Sequence, residues 1–282
     1  MVKSEKTAVS VGSELPVYSG AARASFLQRY PLMTGYESLG TVICRGEGVD
    51  KLVSGGRVVG FYGHRSHSVI QQERAIPVPE DIPDELALLS ILTCDVAKGI
   101  RRLALGPEEP VLIAGAGAIG LLATFVCKNY GTQAVDVVEP IEERRELARK
   151  LGARAACSPC ELSPRLTYPA ALECSSSAAA FARLQQMMTL GGRICLLSDG
   201  NAEPLALSTH FHEKELLVFG SGDGWDYQEH ARWYFEALRE DTSRGGKLKE
   251  IFDLHTTFEE LPTVFEKMAA GELSPVKVLV RH

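Results

Sequence analysis

No stretch of this chain is both long and apolar enough to span a bilayer. The longest apolar run, from Val111 to Cys127, is interrupted by Gly115, Gly117 and Gly120 and is short for a membrane helix. A basic excess is missing too. Net charge is −6, from 30 Lys and Arg against 36 Asp and Glu, and no long basic run occurs. That balance argues against a nucleic-acid or membrane-surface partner. No charged-then-apolar secretory signal opens the chain. The seven cysteines are odd in number and scattered, which suits a reducing compartment, the cytoplasm, better than a disulfide framework. Internal repeats and low-complexity segments are absent. What remains is an ordinary globular composition, 45% hydrophobic and 23% charged, over 282 residues, enough for two modest domains.

The most informative segment is Val111-Leu-Ile-Ala-Gly115-Ala-Gly117-Ala-Ile-Gly120, followed further on by Glu139. Each part suits a dinucleotide. Gly115 allows a tight strand-to-helix turn, Gly117 lets backbone approach a pyrophosphate, and Gly120 lets helix pack closely on strand. The amide groups at the start of the following helix would hold the phosphates, and Glu139 would accept from the ribose hydroxyls. The context strengthens the motif. Val111 to Ala114 reads as a buried parallel strand, Leu121 to Tyr130 as an apolar helix, and Ala134 to Val138 as the next strand.

Residues 1 to about 90 are different in kind. Short β-branched runs at Thr41–Cys44, Arg57–Gly60 and Ala75–Val78 lie between glycines and prolines and read as a small, mostly β domain. Glu85 to Leu103 has the apolar spacing of one long helix. Strands and helices then alternate: a charged helix from Glu142 to Leu151, strands at Ala170–Glu173 and Arg193–Leu197, a helix from Ala178 to Leu190 between them, and a strand at Leu216–Phe219. This order predicts an α/β, doubly wound parallel sheet. The tail adds amphipathic stretches at Gln228–Arg239 and Phe258–Ala269 and a last strand at Val276–Val280. The layout predicts a discontinuous outer domain over 1–90 and 224–282 around a Rossmann domain over 91–223.

That layout resembles the medium-chain dehydrogenase/reductase family of alcohol-dehydrogenase type. Pro31-Leu-Met-Thr-Gly35-Tyr36-Glu37-Ser-Leu-Gly40 looks like the family's P-x-x-x-G-H-E-x-x-G. Leu52-Val-Ser-Gly55-Gly56-Arg57-Val58 looks like its V-x-x-G-D-R-V turn, with Gly56 replacing the acid, and Ala148-Arg-Lys-Leu151-Gly152-Ala153 matches its A-x-x-L-G-A helix end. Lys214-Glu-Leu216 with Gly220-Ser221 resembles the strand that often pairs two subunits, and Glu266 to Val280 resembles the closing segment. The resemblance implies a Rossmann domain with a GroES-like outer domain, a nicotinamide cofactor, a small-molecule substrate and a homodimer. Members usually carry a further stretch before the segment corresponding to Lys3–Thr7, so either the outer domain is trimmed there or the start lies elsewhere. The segment Tyr30–Ser38, with Gly-Tyr-Glu in place of Gly-His-Glu, also resembles that of bacteriochlorophyllide hydroxyethyl dehydrogenases, although nine residues do not assign a substrate.

The departures bear on chemistry. Zinc-dependent members use an early cysteine, the histidine of G-H-E and a later cysteine or acid. Here Val11 and Tyr36 stand at the first two positions and only Cys94 falls where a third ligand could sit. The cysteine-rich lobe that holds structural zinc is missing. Catalytic zinc takes three protein ligands, so the sequence predicts no zinc by this route. Tyr36 is then a hydroxyl donor to a substrate carbonyl or a packed tyrosine. Ser13 matches a proton-relaying hydroxyl of zinc members or caps a turn. Lys98, one helical turn beyond Cys94, is a carbonyl-polarising cation or a solvated helix lysine. Glu37 reads as orienting backbone or an arginine. The resemblance places Arg144 beside the adenosine ribose and Lys277 within reach of the pyrophosphate, and both also read as plain surface charges. His64-x-x-His67 and His210-x-His212 have metal-like spacing without anything that brings the pairs together, and Cys157-x-x-Cys160 reads as loop.

The expectation is a zinc-independent oxidoreductase preferring NAD(H) over NADP(H), since an acid at Glu139 repels a 2′-phosphate. Without a Lewis acid, the developing oxyanion needs hydrogen-bond donors, and a carbonyl, enone or quinone-like acceptor suits that limit. A nucleotide-binding sensor without turnover is the alternative. A methyltransferase is disfavoured by the re-entrant tail and the Gly-Tyr-Glu segment.

Overall fold

A computed structural model describes residues 1–21, 31–106, 108–198 and 203–282. The chain opens with β1 (Val2–Val9) and α1 (Val11–Tyr18), then β2 (Glu37–Val42), β3 (Arg57–Gly60), β4 (His67–Ser68) and β5 (Ile76–Pro77). Next come α2 (Asp84–Leu88) and α3 (Ser90–Leu103). The alternating region follows: β6 (Val111–Ala114), α4 (Ala118–Asn129), β7 (Val135–Val138), α5 (Glu142–Lys150), β8 (Ala155–Cys157), β9 (Tyr168–Glu173), α6 (Ala178–Met187), β10 (Met188–Leu196), α7 (Thr209–Glu213) and β11 (Leu217–Gly220). The tail supplies α8 (Tyr227–Glu240), α9 (Thr242–Lys247), β12 (Phe252–Thr257), α10 (Leu261–Ala269) and β13 (Lys277–Arg281).

Two compact units result. One comprises Met1–Ile91, Asp226–Glu236 and Lys249–His282; the other comprises Leu92–Trp225 and Ala237–Leu248. In the second unit six parallel strands lie in the order β11-β10-β9-β6-β7-β8. In chain order this is the dinucleotide-binding arrangement, with its reversal between β6 and β9, where ligands bind beyond the strand ends. Every residue of β6 is buried, as a strand covered on both faces must be. Leu112, Ala171, Phe181, Leu184, Met187 and Ile194 form part of the core on one side of this sheet.

The first unit has a mixed sheet, in the order β12-β13-β1-β2-β3-β5, with β4 also pairing β1. β1 runs antiparallel to both β13 and β2, joining the start of the chain to its end. One core lies under β1 and β13, where Val9, Val278 and Val280 meet Phe265 and Met268 of α10.

Several elements differ from the sequence reading, among them β2, read at Thr41–Cys44 and found at Glu37–Val42. The long helix from Glu85 is two helices, broken at Leu89, where ψ is −9°. Residues 86–94 are all buried, so apolar spacing there marks full burial rather than one continuous face. The helix from Ala178 ends at Met187, because Met188 is already extended and pairs with Tyr168. β1 and α1 were not legible as elements, since β1 alternates only weakly between apolar and polar side chains and α1 carries Pro16 inside it.

Candidate functional site

The glycine turn of the second unit is built for close approach. Gly115 follows β6 with φ of +93°, a conformation that glycine adopts without strain. A Cβ there would lie 2.9 Å from the Ser175 backbone, which follows β9 across the strand-order reversal. A Cβ on Gly120 would collide with the Gly115 carbonyl oxygen, so the third glycine lets α4 pack against the turn. A Cβ on Gly117 would meet nothing within 4 Å. The second glycine therefore faces open space at the head of α4, where amide groups and the positive dipole end favour a phosphate. The three positions fit the roles that a dinucleotide requires.

Glu139 lies just beyond β7 and is only 4% exposed. Its Oε2 accepts from the Ala116 amide at 2.7 Å and its Oε1 accepts from the Ile141 amide at 3.0 Å. The carboxylate thus braces the glycine turn itself. A carboxylate offers about four acceptor positions, so these two bonds leave room for ribose hydroxyls. Beside it the organising arginine is Arg145, whose Nη1 donates to the Glu139 and Pro140 carbonyls, each at 2.7 Å. Arg144 is the half-buried neighbour on α5. Glu173, fully buried at the end of β9, holds the facing loop: it accepts from the Ser175 amide at 2.8 Å and from the hydroxyls of Ser175 and Ser198. Sequence reading missed Arg145 and Glu173; an acid at the end of a strand is the signal that could have marked Glu173, and nothing local marked Arg145 on α5.

In the first unit, Ser13 on α1 and Tyr36 just before β2 come together, with 3.1 Å between their hydroxyl oxygens. The Ser13 Oγ also lies 3.2 Å from the Ser10 carbonyl, to which it can donate. Rotation of the two hydroxyls lets either one donate to the other. Burial, with the charges of Glu37 and Glu14, pushes the Tyr36 phenol far above the usual tyrosine range, while the Ser10 and Ser13 hydroxyls pull it the other way. The phenol is therefore held protonated, as a hydrogen-bond donor and not a base. Glu14, also on α1, is buried; its Oε1 accepts from the Ser10 amide at 2.7 Å and its Oε2 meets His64 Nε2 at 2.9 Å.

Two cations take other places than the sequence suggested. Lys277 opens β13 fully buried and is ion-paired with Glu37, also at 0% exposure. It is neither a surface charge nor open to a pyrophosphate, because its ammonium is committed to a carboxylate that would otherwise be stranded in the core. Glu37 accordingly orients a lysine rather than backbone or an arginine. Lys98 donates to the Asp223 carbonyl. On the same face of α3, Asp95 accepts from the Gly224 amide at 2.7 Å and Arg102 donates to the Gly220 carbonyl. Lys98 is thus one of three side chains on α3 that bond the backbone of residues 220–224.

Val11 opens α1, and Cys94 is buried on α3. His64 is buried against Glu14 whereas His67 is exposed on β4, and His210 pairs with Glu213 while His212 is exposed. Cys157 ends β8, and Cys160 is exposed in the loop beyond it. Among the described residues no three His, Cys, Asp or Glu side chains are grouped to hold a metal. Among those residues, too, no helix is long and apolar enough to cross a membrane.

Comparison with known proteins places this geometry in a family. A family model described as zinc-binding dehydrogenase matches residues 118–236. The L-threonine 3-dehydrogenase of Photorhabdus laumondii is 30% identical over 239 residues, covering 70% of this chain and 69% of that protein. The same enzyme of Serratia proteamaculans is 29% identical over 98% of this chain and 90% of its own length. Among solved structures, a putative zinc-binding dehydrogenase from Sinorhizobium meliloti bound to NADP aligns with a TM-score of 0.84 at 19% identity, over 100% of this chain and 91% of that one. An alcohol dehydrogenase from Escherichia coli CFT073 complexed with NADH aligns at 0.80 and 21% identity, again over 100% and 91%. With the six-stranded parallel sheet and its glycine turn, these relatives show that the chain belongs to the medium-chain dehydrogenase/reductase family of alcohol-dehydrogenase type and is an oxidoreductase.

Proposed function

We propose that this NAD(P)-dependent dehydrogenase moves hydride to or from a carbonyl, enone or quinone-like small molecule without zinc, and that the Tyr36 phenol serves as the electrophile. The observation that carries this reading is the half-buried pairing of the Tyr36 and Ser13 hydroxyls, 3.1 Å apart. At the zinc positions of relatives, Val11 offers no lone pair and Tyr36 offers a protonated phenol, so this donor set does not fit a catalytic zinc.

When bound, the nicotinamide supplies or accepts the hydride. The chain does the rest. Gly117 and the head of α4 would receive the pyrophosphate, and Glu139 the adenosine ribose. In the reducing direction Tyr36 would donate to the carbonyl oxygen as negative charge builds, while Ser13 turns to donate to the phenol oxygen. Substrates that spread this charge over a conjugated system place the least demand on one phenol. Glu139 supports preference for NAD(H), because its carboxylate repels a 2′-phosphate. The edge position of β11, with Leu217 60% exposed, supports a homodimer paired through that strand. Seven cysteines without a disulfide suit a cytoplasmic setting.

The test has two steps. Shifts in melting temperature with NADH and NADPH establish cofactor binding. Turnover is then followed with a panel of quinones, enones, simple secondary alcohols and a hydroxyethyl bacteriochlorophyllide. Reaction with a conjugated member in chelator-treated protein supports the proposal; reaction only with added zinc overturns it.

A further inference from the structure

We propose that His64 is a positioning residue that sets the Tyr36–Ser13 pair, an inference that rests on Tyr36 acting as the acid. Ser13 and Tyr36 sit on separate segments, the helix α1 and the turn before β2, and their hydroxyls meet through one 3.1 Å contact. His64 joins those two segments. Its Nε2 meets Glu14 Oε2 at 2.9 Å, and Glu14 follows Ser13 directly on α1. Its backbone amide donates to the Thr34 carbonyl at 3.1 Å, two residues before Tyr36. Its ring fills the space above Gly35: a Cβ there would lie 2.8 Å from the imidazole, and Gly35 has φ of +87°. Both His64 and Glu14 side chains are only 5% exposed.

The far side of the ring is held as well. His64 Nδ1 lies 2.8 Å from Thr7 Oγ1 on β1, and the same hydroxyl lies 3.2 Å from His282 Nε2. One set of protons satisfies every contact. His282 Nε2 donates to Thr7, the Thr7 hydroxyl donates to His64 Nδ1, and His64 Nε2 donates to Glu14, which only accepts when ionised. An imidazole can accept on one nitrogen and donate on the other across its ring, so it reaches from β1 to α1. Glutamine carries a donor and an acceptor on its amide but lacks the ring that fills the space above Gly35. The phenol's partner is therefore placed by a buried Glu14–His64–Thr7 bridge.

The test compares wild type with His64→Gln, Glu14→Gln and Tyr36→Phe, using protein carrying 13Cζ-labelled tyrosine. Tyr36→Phe identifies the Tyr36 resonance by its loss. Folding of each variant is confirmed by circular dichroism. In His64→Gln the Tyr36 resonance is expected to move while those of distant tyrosines stay in place. Rates of NADH oxidation with 9,10-phenanthrenequinone are measured in parallel. His64→Gln is expected to lower kcat by about tenfold to a hundredfold, as misplacement of an acid does, with KM for NADH unchanged. Added to Tyr36→Phe, it should cost nothing further. An unmoved Tyr36 resonance in a folded variant, or a kcat loss that adds fully to that of Tyr36→Phe, overturns the inference. If Tyr36→Phe leaves turnover unchanged, the reading of Tyr36 as the acid fails by itself, and the resonance still decides whether His64 positions the phenol.

Discussion

Lys277 and Glu37 are both fully buried, and each is the other's countercharge. Removing one partner of such a pair strands the other charge in the core. Lys277→Met should therefore cost about 3–5 kcal/mol of unfolding free energy, readable from urea midpoints, and Lys277→Met/Glu37→Leu should recover most of it. A double variant no more stable than the single would mean that the pair matters through shape rather than charge. The glycine turn makes a sharper local forecast. A methyl group on Gly120 would run into the Gly115 carbonyl, so Gly120→Ala should abolish the melting shift given by NADH even where the protein still folds. These two sites also mark what was legible. Gly120 acts on Gly115, a few residues away, so the spacing of the motif displayed that role. Lys277 finds its partner 240 positions earlier in the chain, a pairing that no local pattern records.

Among the elements, α4 and the inner strands of the parallel sheet were readable because burial on both faces leaves nearly continuous apolar runs, whereas the edge strand β8 was not. α3 shows the limit. Its apolar side was visible, but nothing local showed that Asp95, Lys98 and Arg102 each bond the backbone of residues 220–224. Bonds from charged side chains to backbone are individually modest, so Lys98→Met should lower stability by about 1.5–3 kcal/mol. Limited proteolysis should then cut within residues 220–224 faster than in wild type; equal rates would show the clamp to be idle. At the sheet edge, β11 presents Leu217 to solvent. Leu217→Glu should convert the proposed dimer to monomer in light scattering, and an unchanged mass would place the interface elsewhere.

For the molecule as a whole, the sequence displayed the class of fold; the tail read as one outer piece over 224–282 is divided, with Ala237–Leu248 in the second unit. The sequence did not display how α1, the Gly35 turn and residue 64 meet, because that meeting depends on tertiary packing around Glu14. On the proposed reading, cofactor choice depends on the Glu139 carboxylate. Glu139→Ala should weaken NADH binding more than NADPH binding in calorimetry, because loss of the Ala116 contact loosens the turn for both while loss of the ribose acceptor affects NADH alone. The central claim is that a phenol takes the place of a metal. It is tested most directly by comparing kcat of wild type and Tyr36→Phe, both dialysed against chelator, on one conjugated acceptor with NADH. The account expects full activity in the metal-depleted wild type and at least a tenfold loss in Tyr36→Phe, by analogy with the removal of one oxyanion donor, which costs about 10²–10³. A Tyr36→Phe enzyme as fast as wild type, or a wild type that is inactive until zinc is restored, would contradict it.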